Sequence, residues 1–301
     1  MTAEISFAGQ VAIVTGAGSG LGRAHALALA RRGVRVAVND LAPAEGGAET
    51  VALISAEGGE ALLCPADVSD GAQVGAMVQA VLDHWGRIDI LVNNAGFLRD
   101  KSFAKLEMAD FDRVVNVHLT GSAHCCKAVW PVMQAQGYGR IVMTSSASGL
   151  FGNFGQANYA AAKAGVIGLM KVLSIEGRKH NIFVNALAPT AMTAMTDGLV
   201  EAAAAERLDP AAVSPGVLFL TSPEAPNGVI LGAGAGAFSL VRILETAGHW
   251  LPPEARTPEG IRDHFDRISD PAGLSDPGGA FEQTAKFIRL AEAGLAEETP
   301  S

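Results

Sequence analysis

The sequence predicts an α/β protein built on a parallel, doubly wound sheet with helices on both faces. Short apolar runs recur along the chain, most are followed by a segment of helical pattern, and the first run leads directly into a glycine-rich turn. Strands that alternate with helices favour parallel pairing, because a parallel connection needs a long crossover. Right-handed crossovers bring the loops that follow the strands to one edge of the sheet, where ligands bind.

The apolar runs and the helical patterns give the elements in order. Residues 11–14 read V-A-I-V and precede the turn T-G-A-G-S-G-L-G, after which residues 21–32 form the first predicted helix. The next predicted strands are 34–38, 61–64 and 88–92, separated by predicted helices at 44–57 and 72–85. Further strands are predicted at 140–144 and 182–188, each after long helical segments. This alternation is typical of a doubly wound sheet.

The last part of the chain has a different pattern. After about residue 244, prolines punctuate two short amphipathic helices, predicted at 258–268 and 281–293. This segment contains few large apolar side chains, so it cannot form a stable core alone. We therefore assign residues 1–245 to the sheet domain and residues 246–301 to a C-terminal helical extension that packs on the sheet domain.

Composition excludes several classes of protein. Hydrophobic residues make up 49% of the 301 residues and charged residues 18%, which suits a buried core and argues against disorder. The net charge of −9 argues against nucleic acid or an anionic membrane as the main partner. The apolar stretch 216–244 is interrupted by prolines and polar residues, so no membrane span is expected.

Cysteine and histidine usage predicts no disulfide framework and no metal site. Cys64, Cys125 and Cys126 have no C-x-x-C spacing, and we expect them to be buried, inert thiols. The seven histidines lack metal-ligand spacing and are expected to be structural or surface residues. The N-terminus carries no secretory signal pattern, which leads us to expect a cytoplasmic protein.

The glycine-rich turn predicts a site for the phosphates of a nucleotide. Gly16, Ser19, Gly20, Leu21 and Gly22 follow a predicted strand and open a predicted helix. Glycines let the backbone approach a pyrophosphate, and the helix N-terminus offers free N–H groups and the positive end of the helix dipole. The alternative is that these glycines serve only helix–strand packing.

The choice of cofactor depends on Asp40, at the end of the second predicted strand. A carboxylate at this position accepts hydrogen bonds from ribose hydroxyls and repels a 2′-phosphate. Ser19 places no cation in the turn to offset that repulsion, so we expect NAD(H). Arg23, beside the turn, is the one residue that favours NADP(H). Asp40 has an alternative interpretation, in which its side chain only caps the N-terminus of a helix.

Three side chains predict alcohol–ketone chemistry. Tyr159 and Lys163 lie four residues apart, which places both on one face of a helix. An ammonium group near a phenol favours the phenolate and lowers the pKa of the phenol. The Ser146 hydroxyl can hold a substrate oxygen, as an oxyanion donor does. Asn116, on a predicted helix, can connect Lys163 to a water chain, or it is a structural polar residue.

These motifs resemble those of the short-chain dehydrogenase/reductase family over about residues 7–245. The resemblance rests on the glycine-rich turn, N-N-A-G at 93–96, Asn116, Ser146 and Y-A-A-A-K at 159–163. Within the family, the stretches 38–41, 93–103, 143–159 and 175–182 resemble the (3R)-hydroxyacyl-CoA dehydrogenase units of peroxisomal multifunctional enzymes. The likeness continues into the extension through T-P-E at 257–259.

The resemblance implies a Rossmann fold and a role for each site residue. Tyr159 would be the general acid/base, and Lys163 would lower the pKa of the Tyr159 phenol and bind the ribose. Ser146 would hydrogen-bond the substrate oxygen, and Asn116 would take part in the proton relay. The cofactor would also be lined by Asp67, Val68, Asn94, Ala95, Gly96, Pro189 and Thr193. The loop after residue 188 departs from the family pattern, since it reads A-P-T-A-M-T-A-M-T in place of P-G-x-x-x-T.

The expected activity is NAD-dependent oxidation of a secondary alcohol to a ketone, on a (3R)-3-hydroxyacyl-CoA by resemblance. A 17β-hydroxysteroid is the alternative substrate, and a non-catalytic NAD-binding scaffold is the alternative of another class. The family resemblance also implies a homodimer or homotetramer.

Overall fold

Eight strands form one sheet in the computed structural model, which describes residues 4–41, 45–191 and 207–298. In chain order they are β1 (Val11–Val14), β2 (Arg35–Asp40), β3 (Ala61–Pro65), β4 (Ile90–Asn93), β5 (Gly139–Thr144), β6 (Ile182–Thr190), β7 (Ile230–Gly234) and β8 (Ala237–Val241). Across the sheet the order is β3-β2-β1-β4-β5-β6-β7-β8. The first seven strands pair in parallel, and β8 runs antiparallel to β7.

The helices that accompany this sheet lie between its strands in sequence. They are α1 (Gly20–Arg31), α2 (Glu45–Ala56), α3 (Gly71–Trp85), α4 (Met108–Val115), α5 (Gly121–Gln136), α6 (Ala147–Phe151), α7 (Ala157–Gly177) and α8 (Ser214–Thr221). A π-helical turn, Asn116–Thr120, joins α4 to α5. Short 3₁₀ turns occur at Phe103–Lys105, Arg178–His180 and Pro210–Ala212.

The doubly wound sheet predicted from the sequence is confirmed. The six predicted strands are all present, and their ends lie within two residues of the observed ones. Two strands were not predicted, because β7 and β8 fall in the apolar, glycine-rich stretch that the sequence analysis considered only as a membrane span. None of the helices in the described part of the chain is long and apolar enough to cross a membrane.

Two apolar clusters cover the two faces of the sheet. Val11 and Ile13 of β1 belong to one cluster, whereas Ala12 and Val14 belong to the other. This alternation follows from the strand geometry, in which successive side chains point to opposite faces. The first cluster includes residues of α3, α5 and α7, and the second includes residues of α1, α2 and α8. Helices therefore pack on both faces, as a parallel sheet requires.

Local capping explains where individual helices begin and end. The Asp70 side chain accepts hydrogen bonds from the backbone N–H groups of Ala72 and Gln73, which starts α3. Gly86 ends the same helix in the left-handed conformation, with φ of 73°. A residue without a Cβ adopts this conformation without steric cost. These signals lie in the sequence, so the ends of α3 could be predicted closely.

The strand order fixes the place of the ligand site. From β1 the chain moves to β2 and β3 on one side, and then returns to β4 on the other side of β1. The loops after β1 and β4 therefore diverge from a common edge of the sheet. In open α/β sheets ligands bind in the crevice at this reversal point.

The chain divides into two compact units, Met1–Val241 and Arg242–Ser301. The second unit contains α9 (Pro258–Asp263), α10 (Phe265–Ile268) and α11 (Ala280–Glu298), preceded by a 3₁₀ turn at Pro253–Ala255. A β-bridge pairs Glu245 with Ser275. The helix predicted at 258–268 is divided at His264, and the last helix is longer than predicted. The packing of this extension on the sheet domain stays a prediction.

Candidate active site

The glycine-rich turn forms the first wall of a cleft at the edge of the sheet. Gly16 has a φ of 62°, and a Cβ placed on it would lie 2.8 Å from the Cα atom of Ala95. Only a glycine therefore allows the turn after β1 to approach the loop after β4. Ser19, the N-cap residue of α1, makes no side-chain capping bond, and the first turn carries no acidic residue. The first backbone N–H groups of α1 are thus open to an anion.

The Thr15 hydroxyl links the two loops of the cleft. Its Oγ1 atom accepts hydrogen bonds from the backbone N–H of Asn94 at 2.9 Å and of Ala95 at 3.0 Å. The same hydroxyl donates to the carbonyl oxygen of Val92 at 3.3 Å. In return, the Asn94 side-chain amide donates to the carbonyl oxygens of Thr15 and Gly16. Five hydrogen bonds therefore hold this part of the cleft in one geometry.

A cleft of about 460 Å³ lies between these loops and the ends of β2 and β3. The structure brings together in its walls eleven of the residues predicted to bind the cofactor. They are Gly16, Ser19, Gly20, Leu21, Gly22, Asp40, Asp67, Val68, Asn94, Ala95 and Gly96. Pro189 lies in β6, next to its C-terminal residue. Thr193 lies outside the described residues, so its predicted contact stays a prediction.

Asp40 and Arg23 occupy positions that bear on the choice of nucleotide. The Asp40 carboxylate accepts one hydrogen bond from the Gly18 N–H and one from the Leu41 N–H, both at 2.8 Å. Each carboxylate oxygen can accept further bonds, so the group remains able to bind ribose hydroxyls. Arg23 is neutralised by Glu49 at 2.6 Å, and its guanidinium also donates to the Gly18 carbonyl oxygen. The Arg23 guanidinium is thus already paired with a carboxylate of α2.

Tyr159, Lys163 and Ser146 come together where β5 ends and α7 begins. Tyr159 and Lys163 lie one turn apart on α7, and Ser146 is the N-cap of α6. The Lys163 Nζ atom lies 5.6 Å from the centre of the Tyr159 ring and donates a hydrogen bond to the Thr144 carbonyl oxygen at 2.6 Å. The Ser145 hydroxyl donates to the Lys163 carbonyl oxygen. The end of β5 therefore fixes the first turns of α7.

The electrostatics of this group differ from the sequence prediction. Burial raises the pKa of Tyr159, the Ser146 hydroxyl partly offsets this by hydrogen bonding, and the charge of Asp100 adds to the rise. Burial also lowers the pKa of Lys163 to about 7. The predicted lowering of the phenol pKa by the ammonium was wrong for the chain without ligand, because loss of hydration outweighs the attraction. Tyr159 is therefore a protonated phenol here.

Asn116 and His118 lie in the same π-helical turn but have different surroundings. The Asn116 side chain is exposed and lies in the wall of the cleft. His118 is buried instead, and its ring meets the Tyr159 ring edge-on, with 5.2 Å between ring centres. The relay role of Asn116 stays a prediction. Sequence spacing could not identify His118, because the π-helical turn shifts the residues that face α7.

The three cysteines are buried, as predicted, and none forms a disulfide. Burial raises the pKa of Cys64 to about 11 and that of Cys125 to about 12, and it raises the pKa of Cys126 further. Thiols with raised pKa values are poor nucleophiles. The cysteines thus take no part in the chemistry of the cleft.

We expect Lys163→Met to stabilise the chain at pH 6 by roughly 3 kcal/mol, because Lys163 loses its hydration in the fold. Its pKa falls from 10.5 to about 7 on folding, so the folded chain binds fewer protons than the unfolded chain between these values. The penalty is complete below pH 7 and disappears as the pH rises towards 10.5. Denaturant unfolding of the variant and of wild type at pH 6 and pH 10 measures the difference in their free energies of unfolding.

Lys127→Met, at an exposed position of α5, is the matched control and should change stability little at either pH. A Lys163→Met protein that is less stable than wild type at pH 6, or a difference that does not depend on pH, would contradict this account of the buried lysine.

Comparisons with known proteins identify the family of this chain. The family model for short chain dehydrogenase matches residues 10–205. The chain is 42% identical to peroxisomal multifunctional enzyme type 2 of Mus musculus, over 96% of this chain and 40% of that protein. It is 42% identical to the peroxisomal hydratase-dehydrogenase-epimerase of Neurospora crassa, over 98% of this chain and 33% of that protein.

Among solved structures, full-length peroxisomal multifunctional enzyme type 2 from Drosophila melanogaster has a TM-score of 0.83 and 35% identity, over 96% of this chain and 50% of that chain. The chain thus spans half or less of the length of these three relatives. The family profile and the relatives together show that the chain belongs to the short-chain dehydrogenase/reductase family of oxidoreductases, which act on CH–OH groups.

Proposed function

We propose that the chain is an NAD-dependent dehydrogenase that interconverts (3R)-3-hydroxyacyl-CoA thioesters and 3-oxoacyl-CoA thioesters. The observation that carries this proposal is the grouping of Tyr159, Lys163 and Ser146 beside a cleft that fits a dinucleotide. A phenol, a buried amine and a hydroxyl at one sheet edge are the groups needed to move a proton on and off a substrate oxygen.

The residues of the cleft fit NAD. The open N-terminus of α1 and the Gly16 turn suit the pyrophosphate, and Asp40 suits the ribose hydroxyls. The neutralisation of Arg23 by Glu49 supports NAD over NADP, because no free cation of this turn faces a 2′-phosphate. When bound, oxidised NAD supplies a hydride acceptor and a positive charge.

Each active-site residue has a defined task in this proposal. In the oxidation direction Tyr159, once its phenol has lost a proton to solvent, would accept the substrate hydroxyl proton as the C=O bond forms. The C–H bond that breaks would give its hydride to the bound NAD. In the reduction direction the Tyr159 phenol donates that proton to the carbonyl oxygen, which is the protonation state favoured by its raised pKa. Ser146 donates a hydrogen bond to the substrate oxygen, and Lys163, fixed by the Thr144 carbonyl oxygen, provides the nearby charge.

Two observations support a CoA thioester over a steroid. The guanidinium groups of Arg99 and Arg113 both line the cleft, 5.1 Å and 5.7 Å from the centre of the Phe97 ring. Cations at this position suit the phosphates of CoA, whereas an uncharged steroid needs none. The sequence resemblance to (3R)-hydroxyacyl-CoA dehydrogenase units also supports a CoA thioester.

We also infer that the chain forms a homodimer or homotetramer. The cytoplasmic location stays a prediction; the relatives from Mus musculus and Neurospora crassa are named as peroxisomal.

Asp40→Ser should narrow the preference for NAD over NADP by about tenfold or more, because the substitution removes the charge that repels a 2′-phosphate. The measurement is the ratio of kcat/KM for the two cofactors. Asp83→Asn, at an exposed position of α3, is the control and should leave the ratio unchanged. An unchanged ratio in Asp40→Ser would show that this carboxylate does not select the cofactor.

NADH formation by the purified protein tests the proposed function. We expect turnover of a (3R)-3-hydroxyacyl-CoA, less with the 3S enantiomer, and none with a 17β-hydroxysteroid. Tyr159→Phe should lower kcat by about 10²- to 10⁴-fold while NADH still binds, because only the proton-transfer group is removed. Tyr138→Phe changes the only other tyrosine of the chain and should keep full activity.

Turnover of the steroid alone would overturn the proposed substrate and keep the proposed chemistry. NAD binding without turnover of either substrate would favour a non-catalytic scaffold. Equal activity of Tyr159→Phe and wild type would contradict the assignment of Tyr159.

A further inference from the structure

Arg23 directly follows the glycine-rich turn, but its side chain does not line the nucleotide cleft. It lies in the first turn of α1, next to Gly22, and it is absent from the described residues in the cleft walls. It lines instead a separate cavity of about 770 Å³ between α1 and α8. The Arg23 side chain is 24% exposed, so most of its surface contacts protein. Arg23 therefore approaches the turn from behind the cleft.

The Arg23 guanidinium joins the glycine-rich turn to α2. Its Nε atom and one terminal nitrogen donate to the Gly18 carbonyl oxygen, at 3.1 Å and 2.5 Å. The same terminal nitrogen pairs with Glu49 at 2.6 Å, and Nε also lies 3.1 Å from the Thr50 hydroxyl oxygen. Thr50 is fully buried, and its hydroxyl donates to the Ala17 carbonyl oxygen at 2.8 Å. Arg23 and Thr50 together thus hold two successive carbonyl groups of the turn.

Gly18 carries these contacts to Asp40, on the cleft side of the turn. The Gly18 N–H donates to Oδ2 of Asp40 at 2.8 Å, while its carbonyl oxygen accepts from Arg23. A Cβ on Gly18 would lie 2.0 Å from the same Asp40 oxygen, so only a glycine fits. Glycine has more backbone freedom than any other residue. The bonds from Arg23 restrict that freedom at the residue that binds the carboxylate.

The start of α2 packs against the same carbonyl group. A Cβ on Gly46 would lie 2.7 Å from the Gly18 carbonyl oxygen, and the Arg23 guanidinium lies 3.4 Å from the Gly46 carbonyl oxygen. The planar guanidinium can therefore bond to the turn and to α2 at once, which the single ammonium of a lysine does less well. Without Arg23 the Gly18 carbonyl oxygen would lose two donors.

We propose that Arg23 is a positioning residue for Asp40, which holds the Gly18 N–H against the carboxylate that selects NAD over NADP. This inference rests on the proposed NAD-dependent function. Arg23 is then no cation for a 2′-phosphate, because its charge is paired with Glu49 and its nitrogens are bonded to Gly18. The residue that pointed to NADP in the sequence supports NAD in the fold.

Two variants of Arg23 and one matched control test this role. Arg23→Met removes both donors to Gly18, and Arg23→Lys keeps the charge but not the planar fork. Arg31→Met is the control, because Arg31 also joins α1 to the end of α2, through two bonds of 2.7 Å to Glu57, far along the helix from the turn. The dissociation constants of NADH and NADPH, measured by nicotinamide fluorescence, require no turnover.

We expect Arg23→Met to raise the dissociation constant of NADH by about tenfold and to change that of NADPH by less than about twofold, because a charge-assisted bond to Gly18 is lost. The ratio of the NADPH constant to the NADH constant should therefore fall by about tenfold. Arg23→Lys should lie between Arg23→Met and wild type, and Arg31→Met should leave both constants within about twofold of wild type. An unchanged ratio in folded Arg23→Met, or an equal fall in Arg31→Met, would overturn the proposal.

A double-mutant cycle tests whether Arg23 acts through Asp40. In an Asp40→Ser background, Arg23→Met should change the ratio by less than about twofold, because the carboxylate that it positions is gone. A further tenfold fall in that background would show that Arg23 acts without Asp40, and would overturn the proposal.

Glu49→Gln separates the positioning role from a direct contact, and it keeps the test decisive if Arg23→Met does not fold. Glu49 is 62% exposed, so the substitution leaves the core intact. It removes the charge that neutralises Arg23, yet we expect the dissociation constant of NADPH to change by less than about twofold. Tighter NADPH binding in Glu49→Gln would show that Arg23 binds the 2′-phosphate, and would overturn the proposal. A wild type that binds neither dinucleotide would instead contradict the proposed function.

Discussion

The nucleotide cleft depends on one hydroxyl group, at the point where the strand order of the sheet reverses. Thr15 leaves β1 and accepts two backbone hydrogen bonds from the loop after β4, at Asn94 and Ala95. The Asn94 side chain adds two further bonds between the same loops, to the carbonyl oxygens of Thr15 and Gly16. Gly16 makes the approach possible, since any Cβ there would meet Ala95. The loop after β4 also bonds to His118 through the Phe97 backbone, and the His118 ring meets the Tyr159 ring edge-on.

The burial of polar groups near Tyr159 is the second constraint, and it lowers the stability of the fold. Lys163 is removed from water and bonds to a single carbonyl oxygen, and the Nδ1 atom of His118 is unpaired among the described residues. These groups lower the free energy of unfolding, and a stable core alone does not need them. Both groups lie beside Tyr159, which is where natural proteins accept a loss of stability for the sake of a functional site. The sheet beneath this group has fully buried apolar residues on both faces, which stabilise the fold against this cost.

Six of the eight strands could be predicted from the sequence, because each of them is a short apolar run next to a segment of helical pattern. The exceptions, β7 and β8, lie in a glycine-rich stretch without such punctuation. The residues that line the cleft could be predicted for the same reason, since Gly16 lies in the turn after β1 and Asp40 is the last residue of β2. The protonation of Tyr159 was not predictable, because it depends on burial in three dimensions. His118 was missed because a π-helical turn changes the helical register, and no spacing rule for a regular helix includes that change.

The most direct test of this account is the binding of NADH to Thr15→Val, which has nearly the same shape and lacks the hydroxyl. Two backbone N–H groups would lose their acceptor, so we expect the dissociation constant to rise by about 10- to 100-fold while the sheet stays folded. Thr221→Val is the control, because that buried hydroxyl bonds within α8, to Val217. Binding by Thr15→Val that matches wild type would contradict the claim that this hydroxyl builds the cleft.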